Sequence, residues 1–211
     1  MTGTTDHVTA DESGPAVAGD DVSAVTQVVL HERQGRDRGW WDQMLHAYWP
    51  DSTVRLSWYD GDGPGFVAGS KALTERGLTT LHSMFAPVVH VRGTKAYVEA
   101  STAVRAPLVV DGVRGDLVSY TRLNYRLERR GREWRILSLD PVYESTTLTP
   151  SIPGQRIDIP AEDLARFRPS YAILAWDLAR NGRVMSEGLL GDDQPEPVAA
   201  FYATTEEWLN S

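Results

Sequence analysis

Carboxylates and histidines are the residues of this 211-residue chain best suited to chemistry, because it has no cysteine to serve as nucleophile, thiolate ligand or disulfide partner. Asp37 lies in "GRDRGWWDQM", residues 35–44, between two arginines and just before a paired tryptophan. Taken alone it reads either as a surface acid paired with Arg36 or Arg38, or as an acid on the wall of a pocket. His82, in "LTTLHSM", reads either as a histidine at a helix end, satisfying free carbonyls and the dipole, or as a pocket group. An Asp–His pair makes a sensible proton shuttle, since the carboxylate fixes the imidazole tautomer and raises its pKa. His31 and His46 fall on helical segments and read as solvated, and His90 alternates with valines and reads as structural. No HxxxH or HExxH spacing occurs, so no metal is expected.

Several other chemistries are excluded. "STTLTPS" carries no nucleophile elbow, and "GDGPG" lacks the strand before and helix after that a phosphate loop needs. The formal net charge of -8, with dispersed basic residues, argues against nucleic acid as a partner. No apolar run reaches the length of a membrane span, and the polar, acidic start has neither the basic nor the apolar region of a signal peptide. A cytoplasmic location fits the absence of cysteine.

The elements that position these residues follow from periodicity. Residues 1–20 read as a disordered leader. Val22, Val25, Val28 and Val29 recur at helical spacing from Asp21 to about Arg36, and Gly39 separates a second helix bearing Trp40, Trp41, Met44 and Leu45, which Pro50 and Asp51 end. "STVRLSWY", 52–59, alternates as a half-buried strand, 60–65 is a loop, and 69–84 reads as a helix capped by Ser70. Strands follow at 87–91, 95–110, 116–129 and 133–143, the last three joined by tight turns into an antiparallel meander. Ser119 and Thr121 share the apolar face of the third of these with Leu117 and Leu123, which makes them polar groups on the inner face. Asp140 is in phase with Trp134 and Ile136, so it points inward unless a bulge reverses the phase. A proline-punctuated connector, two helices within 161–182 and a final helix at 195–209 complete the chain, the helices packing on the main domain or on a second subunit.

The ordered set of "RDRGWWDQMLHAYWPDSTVRLSWY", "GSKAL", "LHSMFAPVVHVRGTKAYV" and "SYTRLNYRLERRGREWRILSLDPVYE" resembles the SnoaL-like proteins of the nuclear transport factor 2 superfamily, which includes scytalone dehydratase, ketosteroid isomerases and polyketide cyclases. The resemblance implies an α+β fold: a cone-shaped, curved antiparallel sheet packed against N-terminal helices, over residues 21–145, with a C-terminal helical extension at 146–211. It also implies acid–base chemistry without a cofactor on a hydrophobic cyclic or polyketide-like molecule, or, as the alternative, a non-catalytic binding or assembly module. Under it, Asp37 and His82 are the pocket acid and the histidine that closes the third helix. Asp140 is a second acid, and Trp41, Trp58, Ser119 and Thr121 are substrate contacts. Arg36 departs from the dehydratase pattern, which has a tyrosine there, and 95–110 has no second histidine. A homo-oligomer is the expected assembly.

Overall fold

The computed structural model describes residues 18–211. The leader read at 1–20 therefore lies outside the described residues up to position 17, and helix α1 (Ala18–Arg38) already includes its last three positions. Val25 and Val29 are fully buried, whereas Val22 is exposed. Asp21 anchors the start of α1: it accepts from Arg129 Nη1 at 3.1 Å and from Trp134 Nε1 at 2.9 Å.

Gly39, with φ +69°, ends α1 in a conformation that favours glycine, and α2 (Trp41–His46) turns back across it. The two helices touch at Gly35, where a Cβ would lie 3.0 Å from the Met44 backbone nitrogen. Pro50 and Asp51 do not end α2. They belong to strand β1 (Tyr48–Leu56), which turns through Ser57 and Trp58 into β2 (Tyr59–Asp62).

The next segment departs from the sequence expectation. Helix α3 (Gly63–Glu75) begins inside the stretch read as a loop. Asp62, not Ser70, is its cap, accepting from the Gly65 N–H at 2.6 Å, and Pro64 occupies the first turn, where its missing N–H costs nothing. Ser70 is buried in the middle of the helix. Gly77, at φ +78°, stops it, and residues 81–84 form strand β3 (Leu81–Met84) instead of a last helical turn.

Strands β4 (Val88–Arg92), β5 (Lys95–Val110), β6 (Val113–Arg130) and β7 (Glu133–Pro150) follow. The sheet runs β2-β1-β7-β6-β5-β3, with β4 also on β5 and a short β8 (Leu190–Gly191) on β7. It is a curved, unclosed, mixed sheet: β1 and β8 join β7 in parallel, and the other pairs are antiparallel. Together with the helices this is the α+β cone fold. Its core gathers Val25, Val29, Phe66, Val98, Tyr125 and Ile136, each at most 1% exposed. A fully buried side chain of this size contributes roughly 1.5–3 kcal/mol.

Two bulges shape β7. Arg126 pairs with Ser138 while Leu127 pairs with Ile136, which leaves Leu137 unopposed, and Glu144 is skipped in the same way. One inserted residue reverses the alternation. Leu139 and Tyr143 therefore join Trp134 and Ile136 on the inner side, and Asp140, paired with Asn124, turns outward.

After β7 come α4 (Ala161–Leu164), a 3-10 turn (Pro169–Tyr171), α5 (Ala172–Arg180) and α6 (Pro195–Asn210). α5 lies over the inner side, where the Ile173 N–H meets Thr146 Oγ1 at 3.2 Å. α6 covers the outer side: Tyr202 donates to Glu99 at 2.6 Å and Arg126 to Thr205 at 2.9 Å. Among the described residues no helix is long and apolar enough to cross a membrane.

Candidate active site

The site is built where the end of α1 meets β3. His82 pairs with Val104 on β5, and the alternation of β3 exposes Leu81 and Ser83 while turning His82 toward α1. There its ring Nδ1 lies 2.6 Å from Asp37 Oδ1, and its backbone N–H donates to Asp37 Oδ2 at 2.8 Å. The two side chains are 8% and 14% exposed. Asp37 thus faces His82 and not the flanking arginines. With an ionised carboxylate at that distance, Nδ1 carries the proton and Nε2 carries the lone pair. Arg33 Nη1 stands 3.3 Å from Nε2.

Beneath this pair lies a buried ionic layer that sequence reasoning missed. Glu32 is fully buried and Arg33 is 5% exposed; they form a two-point ion pair, and Tyr48 donates to Glu32 at 2.9 Å. Arg36, also 5% exposed, stands one helical turn further on. The signal was present: positions 25, 29, 32 and 36 continue one helical stripe, and its polar members follow the valines into the interior.

His82 forms part of the wall of a cavity of about 180 Å³. Trp58, Phe66, Leu73, Leu117 and Leu123 give it an apolar surface, and Arg36, Ser119 and Thr121 add polar groups. Thr121 Oγ1 is committed to the Val142 carbonyl at 2.9 Å, whereas Ser119 Oγ is buried without a partner. Leu174, Asp177 and Leu178 of α5 and Arg183 beyond it complete the wall.

A model of the SnoaL-like domain matches residues 19–140. The chain belongs to the SnoaL-like domain family. No curated protein matches it. Among solved structures, this SnoaL-like chain is similar to the hexachlorocyclohexane dehydrochlorinase LinA-type3 from Novosphingobium barchaimii, at 14% identity and TM-score 0.54, over 67% of this chain and 96% of that one. It is also similar to a candidate scytalone dehydratase from Novosphingobium aromaticivorans, at 15% identity and TM-score 0.50, over 66% of this chain and 96% of that one. These are likenesses of fold, and the fold is one that enzymes use.

Two placements in this SnoaL-like chain correct the sequence expectation. Trp41 does not line the cavity; it packs against the core beside α1. Asp140 lies on the opposite side of the sheet, in a separate hollow with Arg55, Arg126 and Phe201, because of the bulge at Leu137. Trp58, Ser119, Thr121 and His82 share one cavity, with Asp37 directly behind His82.

The electrostatics bring a further correction. A paired carboxylate alone would raise the histidine. Instead burial, with the charges of Arg33 and Arg36, outweighs Asp37 and holds the His82 imidazole below its ordinary 6.5. Burial alone would lift Asp37, but the His82 hydrogen bonds and the Arg33 charge hold it below its ordinary 3.8. At neutral pH the pair is carboxylate and neutral imidazole. Burial and Arg33 lower Arg36 to about 10. Among the described residues, no three histidines or acids gather closely enough to hold a metal ion.

Proposed function

We propose that this chain is a cofactor-independent acid–base enzyme, a dehydratase, isomerase or cyclase acting on a hydrophobic cyclic or polyketide-like small molecule. The observation that carries the reading is the Asp37–His82 contact at 2.6 Å on the wall of an apolar cavity. His82 Nε2 takes the proton of an acidic C–H: the C–H bond breaks, an N–H bond forms, and the electron pair moves onto an adjacent carbonyl or expels a leaving group. Asp37 stabilises the imidazolium that results. The imidazolium then returns its proton to the departing oxygen, in a dehydration, or to a second carbon, in an isomerisation. Ser119 Oγ and Trp58 orient the substrate. The dehydrochlorinase and dehydratase folds above are consistent with removal of a proton from carbon.

A non-catalytic binder on the same fold is the second reading. The observation favouring it is Arg33 Nη1, 3.3 Å from the lone pair that a base would use. Deuterium incorporation separates the two. Cyclic ketones and β-hydroxy ketones are incubated with the protein in heavy water and exchange at carbon is followed by mass. The enzyme reading expects exchange with at least one ligand that binds, lost in His82→Gln and Asp37→Asn. Binding without exchange favours the binder, and exchange unchanged in His82→Gln rules out His82 as the base.

A further inference from the structure

Arg36 differs from every other charged group around the cavity. Arg33 is held by Glu32, Asp37 spends both oxygens on His82, and Asp177 accepts from Arg180 at 2.8 Å and lies 3.9 Å from Arg183. Arg36 is 5% exposed, lines the cavity, and among the described residues its side chain has no hydrogen bond, ion pair or aromatic partner. Its five N–H donors thus have no protein acceptor, and none of its nitrogens is among the fully sealed unpartnered atoms, so the residual exposure of the guanidinium is toward the cavity it lines. A largely buried charge with no protein partner is costly, and native proteins seldom keep one that does nothing. The nearby Asp37 charge eases the Coulomb cost but leaves the donors unmet.

We infer that Arg36 is the anion-binding residue of the pocket, and that the ligand is an apolar ring or chain bearing one carboxylate. The inference rests on the reading of this cavity as the ligand site and narrows its substrate class. A guanidinium fork matches a carboxylate with two parallel hydrogen bonds, which a point charge does not. Phe66, Leu73, Leu117 and Leu123 receive the apolar body. The ionic ledger agrees. With His82 neutral, Glu32, Arg33, Arg36 and Asp37 sum to zero. Once His82 has taken a proton the cluster carries an excess positive charge, which an anionic ligand offsets.

The probes are cyclohexanecarboxylate and its uncharged analogue cyclohexanecarboxamide, titrated calorimetrically into the whole protein at neutral pH. The acid is expected to bind about tenfold or more tightly than the amide, as a charge-assisted hydrogen-bond pair implies. Arg36→Gln should abolish the preference and Arg36→Lys should keep part of it. Because the largely buried charge has no protein partner in the free protein, Arg36→Met should hold or raise the urea midpoint. Equal affinity for the two probes, binding of neither, a preference that survives Arg36→Gln, or a clear fall in the Arg36→Met midpoint would overturn the inference. None of these readouts depends on turnover. Loss of the anion preference leaves proton transfer by His82 standing, and loss of exchange activity leaves anion binding standing.

Discussion

His82 meets Asp37 twice, through ring Nδ1 at 2.6 Å and through its own backbone N–H at 2.8 Å. The two contacts fix both the ring and the strand that carries it, so the tautomer of the imidazole is set by the fold and not by the ligand. Asp37→Asn keeps the shape and reverses this. The amide oxygen can accept only one of the two N–H groups, and when it serves the backbone its NH2 faces Nδ1 and forces the proton onto Nε2. Exchange activity should fall by roughly 10²–10⁴-fold while the fold persists, the range seen when a positioned base or its orienting acid is lost. Circular dichroism checks the fold and deuterium uptake checks the activity.

The pH dependence follows from His82 being held below 6.5. Activity that needs the neutral ring should rise with pH along an acid limb centred below 6.5 and be flat through neutrality. Arg33 and Arg36 both push the ring down, so Arg36→Met should move that limb upward. Stability takes the matching sign. The unfolded chain protonates this histidine first, so its contribution is complete above 6.5 and is lost as pH falls through the lower folded value. Asp37, held below 3.8, adds a second loss further into acid. Urea midpoints across acidic pH, compared with those of His82→Gln, measure the first of these.

Ser119 and Thr121 look equivalent in the sequence but should behave differently. Thr121 donates to the Val142 carbonyl, so Thr121→Val should cost about 1 kcal/mol. Ser119 Oγ has no partner among the described residues, so Ser119→Ala should leave stability unchanged or slightly raised while weakening the binding of ligands with a polar group. Thermal melts and titrations on the same two variants test the contrast.

How much of this was legible depends on which rule each element obeys. The β5–β6 pairing and the inner face of β6 follow strict alternation, and Leu117, Ser119, Thr121 and Leu123 are buried together as the period requires. Asp140 lies on the side opposite to its sequence phase because one extra residue at Leu137 reverses the alternation, which no periodicity signals. "GLTTLHSM" carries no strong strand signal and reads as the end of a helix; pairing with β5, a non-local interaction, puts His82 on a strand. Helix α3 starts earlier than its sequence suggests because Asp62 and Pro64, a cap and a first-turn proline, look like loop punctuation. The Glu32–Arg33–Arg36 layer lay on a visible stripe, but charged residues usually mark the solvated side of a helix.

Asp140 provides a negative control. It lies on the far side of the sheet from the cavity, beside Arg55 and Arg126. Asp140→Asn should leave exchange activity within about twofold, since substitutions away from a site seldom exceed small effects. A large loss would place the chemistry on the wrong side of the sheet.

The C-terminal extension should matter to the cavity. Leu178 of α5 is 3% exposed and lines it. Leu178→Ala should cost about 2–4 kcal/mol and enlarge the site, so bulkier ligands should gain relative affinity. Urea unfolding and a ligand-size series measure the two effects.

His82 on this reading is a neutral base whose Nδ1 proton is held by Asp37 and whose Nε2 carries the lone pair, beside Arg33 on the cavity wall. Nitrogen-15 NMR of the imidazole rings, titrated from neutral to acidic pH, tests it without any substrate. His82 should show an Nδ1–H tautomer at neutral pH and a midpoint below 6.5. An Nε2–H tautomer, or a ring still protonated at both nitrogens at neutral pH, would contradict it.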